Sequence, residues 1–307
     1  MKPLIYLIIC RLAFISIFAQ QNLKHLEIPK LKEYEQIIEH TGYTLSYNEA
    51  YEQANWVAYQ LTDTETVAIV KRSNHFMEDP MVKTLSANDA DYANSGYDRG
   101  HLAPAADMSY SLKTMEESFY YSNMSPQNPS FNRGIWKSLE EQARHWAINN
   151  HVIYIVTGPV LTDSLSTIGL NKVAVPNYFY KVILSVQGQH LHGIGFIIPN
   201  KASHESLKHY AVTIDSVEAF THLDFFDSLA DEQEEAMERL LILDAWDWNS
   251  MKPSNNLSPA IQESTNKVLH HSNDAQSVSV QCSATTQKGT RCKKFTKNAS
   301  GKCYLHE

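Results

Sequence analysis

The stretch Asp98-Arg99-Gly100-His101-Leu102-Ala103-Pro104 decides how this chain is read. A carboxylate, a guanidinium and an imidazole stand within four positions, closed by a proline. The segment Asn94-Ser95-Gly96-Tyr97 turns into it. Just downstream lies a second polar cluster, Asn123-Met124-Ser125-Pro126-Gln127-Asn128, followed by Asn132, Trp136 and Glu140. His101 has the side chain to exchange protons near neutral pH, and equally to serve as a hydrogen-bonded scaffold group. Asn132 taken alone reads as a helix cap. If a helix begins there, Glu140 stands about 80° around it and ~12 Å along it, so both face one cleft with Glu140 deeper. Asp98 is placed to orient a neighbour, and Arg99 to bind phosphate.

Working outward, residues 55–61 alternate as a strand, with 67–71 expected as its hairpin partner across a turn at 63–65. Leu45 and Tyr47 suggest a short strand. Residues 85–95 suggest a short helix or loop, 111–119 a helix, and 120–123 an extended piece. A longer helix is expected from Phe131 to about Asn149, with Ile135, Trp136, Leu139, Ala143 and Trp146 on its apolar face. Three strands follow at 151–158, 178–186 and 191–198, the last two joined by a short turn that dictates antiparallel pairing. Residues 212–217 suggest an edge strand and 229–243 an acidic helix. The sum is an α+β domain with a largely antiparallel central sheet and flanking helices.

The 307 residues include 26 basic and 34 acidic ones, net −8, and 43% are hydrophobic. That excludes a disordered chain, a collagen repeat and a polytopic membrane protein. The charge is uneven. Residues 20–277 carry 18 basic against 33 acidic side chains, net −15, while 278–307 are net +5. Residues 1–19 pair Lys2 with an apolar run and Ala19, the pattern of a secretory signal peptide. The chain is therefore expected in a secreted or periplasmic compartment, with no stable membrane association after cleavage. Residues 253–278 are rich in Ser, Asn and Pro and read as a linker. Beyond it, Cys282, Cys292, Cys303 and His306 offer a Cys3His set for structural Zn²⁺. One disulfide with a free thiol is the alternative. The tail resembles small zinc-binding C-terminal modules with a Cys…Thr-x-x-Gly-x-Arg-Cys…Cys-x-x-His pattern.

From Asn55 to about Trp246 the sequence resembles the DNA/RNA non-specific endonucleases. The resemblance is carried by residues 98–104, by Ser122-Asn123-Met124-Ser125-Pro126-Gln127, and by Asn132, Trp136 and Leu139-Glu140-Glu141-Gln142. It implies the ββα-metal nuclease fold over residues 20–252, with 279–307 as a small metal-stabilised module. It implies hydrolysis of DNA and RNA to 5′-phosphate products. His101 would be the general base and Asn132 the direct protein ligand of Mg²⁺, with Mn²⁺ able to substitute. Glu140 would reach the ion through water. Asn123 would support the active-site network, and Arg99 and Arg72 would face phosphate. The resemblance leaves a homodimer open as an assembly state. Two other readings remain at this point: a weak or inactive nuclease-like nucleic-acid-binding protein, and a phosphodiesterase for small phosphate esters. No Gly-x-x-x-x-Gly-Lys loop and no ordered Cys–His or Ser–His–Asp signature competes.

Overall fold

The computed structural model describes residues 25–188, 190–249, 280–281, 283–285 and 295–296. The expected signal peptide at 1–19, the linker at 253–278, and Cys282, Cys292, Cys303 and His306 lie outside the described residues. The chain divides into two units, Met1–Ser250 and Met251–Glu307.

In the first unit a seven-stranded antiparallel sheet runs in the order β1-β2-β3-β6-β9-β10-β11. Its strands are β1 (Gln36–Glu39), β2 (Thr44–Asn48), β3 (Gln53–Thr62), β6 (Val152–Pro159), β9 (Tyr178–Gln187), β10 (His190–Pro199) and β11 (Ala211–Val212). Between β3 and β6 the chain leaves the sheet. It forms helix α1 (Asp89–Tyr92), strand β4 (Asp98–His101), helix α2 (Leu112–Glu117), strand β5 (Met124–Gln127) and helix α3 (Lys137–Asn150). The short pair β7 (Thr167–Ile168) and β8 (Val173–Ala174) follows β6, and helices α4 (Ile214–Thr221) and α5 (Asp231–Glu238) follow β11. In the second unit β12 (Val280–Gln281) pairs antiparallel with β13 (Phe295–Thr296).

Alternation divides the central strands between two cores. Tyr59, Ile155, Phe179, Ile183 and Phe196 pack with Trp136, Leu139, Ala143 and Trp146 of the α3 region. Trp56, Val156, Tyr180, Val182 and Leu184 point the other way, towards Ile214 and Val217 of α4 and Met237 of α5. Both faces are covered, so β9 reads as a nearly continuous apolar run rather than as polar alternation. Among the described residues, no helix is long and apolar enough to cross a membrane.

Several expectations change. Residues 67–71 form no strand, and β3 pairs instead with β2 and β6. Residues 121–123 form a 3-10 turn, and the extended piece begins at Met124. The edge strand stops at Val212 because Thr213 caps α4, its side chain accepting from Ser216 N at 3.2 Å. The long helix is broken. A helical turn at Pro129–Phe131 runs into a π-turn at Asn132–Trp136, with Gly134 at φ −107° and ψ −112°, before α3 begins. The straight-helix geometry expected between Asn132 and Glu140 therefore does not apply.

Candidate active site

Strands β4 and β5 form an antiparallel hairpin in the register Arg99↔Pro126 and His101↔Met124. The period of two sends Arg99 and His101 to the same face. Asn123 fixes the base of this hairpin. Its Oδ1 accepts from Ala103 N at 2.9 Å, and its Nδ2 donates to Ala103 O at 2.9 Å and Ser118 O at 2.8 Å. The buried amide is thus spent on backbone, and Asn123 holds the His101 loop rather than facing a substrate. Ser125 Oγ donates to Gln53 Oε1 at 2.6 Å, tying the hairpin to β3. Gly100 is required here, since a Cβ would come within 2.2 Å of the Gln127 side chain.

An aromatic wall backs the site. His101 meets Phe119 edge-on at 4.8 Å between centroids and Phe76 at 5.9 Å. The Arg99 guanidinium lies 4.0 Å from the Phe76 centroid and that of Arg72 4.9 Å from Phe119. Such stacking orders the two cations while leaving their N–H edges for an anion. Arg99 also pairs with Asp89, which accepts from Tyr121 as well. His101 is only 7% exposed, and its Nε2 is buried with no hydrogen-bond partner among the described residues. Burial, then the charges of Arg72 and Arg99, push the imidazole down to about 3. It is therefore neutral at physiological pH.

Asn132 projects from the first position of the π-turn. Its Nδ2 donates to Asp98 Oδ2 at 2.9 Å, and Arg133 grips the same carboxylate with both Nε (2.8 Å) and Nη2 (2.6 Å). Pinning the amide nitrogen fixes the direction of the carbonyl oxygen, the group a hard cation prefers. Phe76, Asp98, Arg99 and Asn132 are among the walls of an open cleft of about 450 Å³.

Glu140, half-buried on the first turn of α3, stands over a charged network that sequence reasoning missed. Arg144 Nη1 donates to Asp107 Oδ1 at 2.7 Å, and Tyr59 OH donates to Asp107 Oδ2 at 2.8 Å. Lys181 is fully buried, 4.9 Å from the Trp136 ring, and its Nζ has no hydrogen-bond partner among the described residues. Burial raises the Glu140 carboxyl, against the attraction of Lys181, Arg144 and Arg72, and burial lowers the Lys181 ammonium. Two signals were present in the sequence. Arg144 follows Glu140 by four, hence on the same helix face. Lys181 interrupts an otherwise apolar strand.

Arg72 acts electrostatically on both His101 and Glu140, and Asp98 joins Asn132 to the strand that carries His101. The structure thus links the sequence-derived candidates of this unit into one region. Among the described residues the Asn132 carbonyl oxygen has no hydrogen-bond partner, and an amide oxygen with Asp98 beside it suits a Mg²⁺ ion that keeps most of its waters.

Two antiparallel strands followed by a helix, with histidine on the first strand and asparagine and glutamate leading into and along the helix, define the ββα-metal nuclease fold. The chain matches the DNA/RNA non-specific endonucleases over residues 26–232 and belongs to that family. It is 39% identical over 209 residues to Nuclease C1 of Cunninghamella echinulata var. echinulata, covering 62% of this chain and 83% of that one. It is 35% identical over 209 residues to the mitochondrial endonuclease G of Bos taurus, covering 63% of this chain and 70% of that one. The crystal structure of an EndoG/EndoGI complex superposes with a TM-score of 0.62 at 34% identity, over 67% of this chain and 90% of that one. The protein is accordingly a nuclease.

Proposed function

We propose that this chain is an exported, Mg²⁺-dependent endonuclease that cleaves DNA and RNA without sequence preference to 5′-phosphate products. The observation that carries this reading is the buried, unpaired Nε2 of a neutral His101 beside two stacked arginines. Arg99 and Arg72 receive the phosphate. His101 takes a proton from water as the water oxygen bonds to phosphorus. The bond to the 3′-oxygen breaks, and solvent supplies that oxygen's proton. Binding a phosphate also neutralises the two charges that depress His101, which moves its affinity for protons upward when a proton must be accepted. Asn132 would hold the cation through its carbonyl oxygen, with Glu140 reaching it through water, and the ion supplies positive charge to the phosphate and the departing oxygen. Chemistry aimed at phosphate leaves the bases unread, and a protein base needs no 2′-hydroxyl nucleophile, so both polymers qualify.

The test is digestion of plasmid DNA and of structured RNA by wild-type and His101→Ala protein, with Mg²⁺ and with chelator. Wild-type protein should nick both polymers only with metal. The variant should be slower by about 10²–10⁴-fold with an unchanged melting curve. Equal rates in chelator or in the variant would reject the mechanism. Intact mass of the exported protein reads whether residues 1–19 are removed.

A further inference from the structure

On the sheet face opposite α3, helices α4 and α5 both pack against β10. Asp215 and Glu218, one helical turn apart on α4, meet Glu238 at the end of α5. One carboxylate oxygen from each lies within 4.8 Å of the others. Glu238 is only 6% exposed, and its Oε1 is buried without a hydrogen-bond partner. Like charges converging on a buried, unsatisfied carboxyl are unfavourable unless a proton or a cation joins them. Elsewhere the protein supplies one. In the adjoining group Asp224, Asp227 and Glu234, Lys30 Nζ pairs with Asp224 at 2.9 Å and Asp227 at 2.8 Å. Among the described residues no Lys or Arg forms an ion pair with Asp215, Glu218 or Glu238. The one hydrogen bond there is from Phe225 N to Glu218 Oε1, at 2.8 Å.

We infer that Asp215, Glu218 and Glu238 form a second divalent-cation site, one that Ca²⁺ can fill, that fastens α5 to α4 on the face away from catalysis. The donor set is all oxygen, which suits a hard cation. Oxygens no more than 4.8 Å apart can all lie at about the 2.3–2.6 Å ligand distance of one Ca²⁺ ion, the probe used below. Three carboxylates from two short helices leave room for water, giving the flexible shell that Ca²⁺ accepts. Such a site makes the stability of the fold depend on Ca²⁺ independently of whichever ion serves hydrolysis.

The experiment uses the full chain, stripped of metal and titrated with CaCl₂, followed by melting temperature and calorimetry. Wild-type protein should gain about 5–10 °C at Ca²⁺ a hundredfold above Kd. Asn132→Ala, which removes the proposed catalytic-ion ligand, should gain as much. Glu238→Gln and Asp215→Asn should lose the gain while melting, metal-free, no lower than wild type, because each removes repulsion. Two results would overturn the site. One is no shift up to about 10 mM Ca²⁺, above the weakest sites of this chemistry. The other is a shift that survives in both carboxamide variants.

Discussion

The two faces of the sheet each bury a glutamate near the end of a helix and surround it with opposite company. Glu140, on the α3 face, is raised by burial but answered by Lys181, Arg144 and Arg72. Glu238, on the α4–α5 face, is raised by burial and then further by Glu218, Glu234, Asp215 and Asp224, up to about 9. The contrast teaches that desolvation alone does not mark a catalytic carboxylate, because both residues suffer it. What differs is the supply of fixed positive charge. On the α3 face those charges offset part of the desolvation, although Glu140, with Asp107 also opposing its charge, is still pushed up to about 8. On the other face the structure leaves the compensating charge to come from outside the chain.

The largest effect is expected from making the first face resemble the second. Lys181→Met keeps the volume and the contact with Trp136 but withdraws the cation that attracts Glu140 most strongly. Lys181 and Glu140 make no direct ion pair, so the cost should fall below the about 3–5 kcal/mol of a broken buried bridge, readable by urea denaturation. Without that attraction the Glu140 carboxyl, already at about 8, should rise further, and the pH profile of nuclease activity should shift to higher pH. A variant as stable and as active as wild type would mean that Lys181 does not compensate Glu140.

How much of this contrast was legible in the sequence depends on the residue. His101, Asn132 and Glu140 could be singled out as candidates because they sit in short, ordered motifs that resemble those of the nuclease family. The strands at 178–186 and 191–198 were readable because a three-residue turn forces them to pair. The partner of β3 was not, since β6 lies about ninety residues away and nothing local distinguishes it from 67–71. The π-turn was hidden because Arg133-Gly134 does not forbid an α-helix. Only the pinning of Asn132 and Arg133 on Asp98 shows what the widened turn serves. Asp107 and Glu238 were invisible for one reason: each matters through partners distant in sequence.

The second effect uses pH to separate carboxylates by the sign of their shifts. Asp79, fully buried, would be raised by burial. Instead, bonds from Ser122 and Met81 and the contact of His40 Nε2 at 2.9 Å hold it below the usual carboxylate range. A depressed carboxyl contributes stability above its unfolded value near 4 and loses it as pH falls through the folded value. A raised one, Glu238, contributes below its unfolded value near 4.5 and loses that contribution as pH rises through about 9. Melting temperatures of metal-free protein should therefore decline at both ends. Asp79→Asn should lower stability by about 1–3 kcal/mol at neutral pH, since it disturbs a buried, satisfied acceptor, and should flatten the acid limb. Glu238→Gln should flatten part of the alkaline limb only. Interchanged limbs would contradict the assignment of the two carboxyls.

The smallest effect sharpens what the α3 face requires at its rim. Arg133 is exposed and makes a bidentate pair with Asp98, but the solvent around it screens that attraction. Arg133→Ala should leave the melting temperature unchanged and cost little activity, because Asp98 still accepts from Asn132 Nδ2. Asp98→Ala removes the acceptor itself and frees the Asn132 amide to turn its carbonyl away from the cleft. Loss of a partner that orients a metal ligand typically costs 10–100-fold in activity or metal affinity, so the Mg²⁺ concentration for half-maximal cleavage should rise in Asp98→Ala and not in Arg133→Ala. Equal behaviour of the two variants would show that the visible ion pair, rather than the single hydrogen bond to Asn132, sets the geometry. The catalytic rim would then depend on an exposed charge pair that salt should weaken.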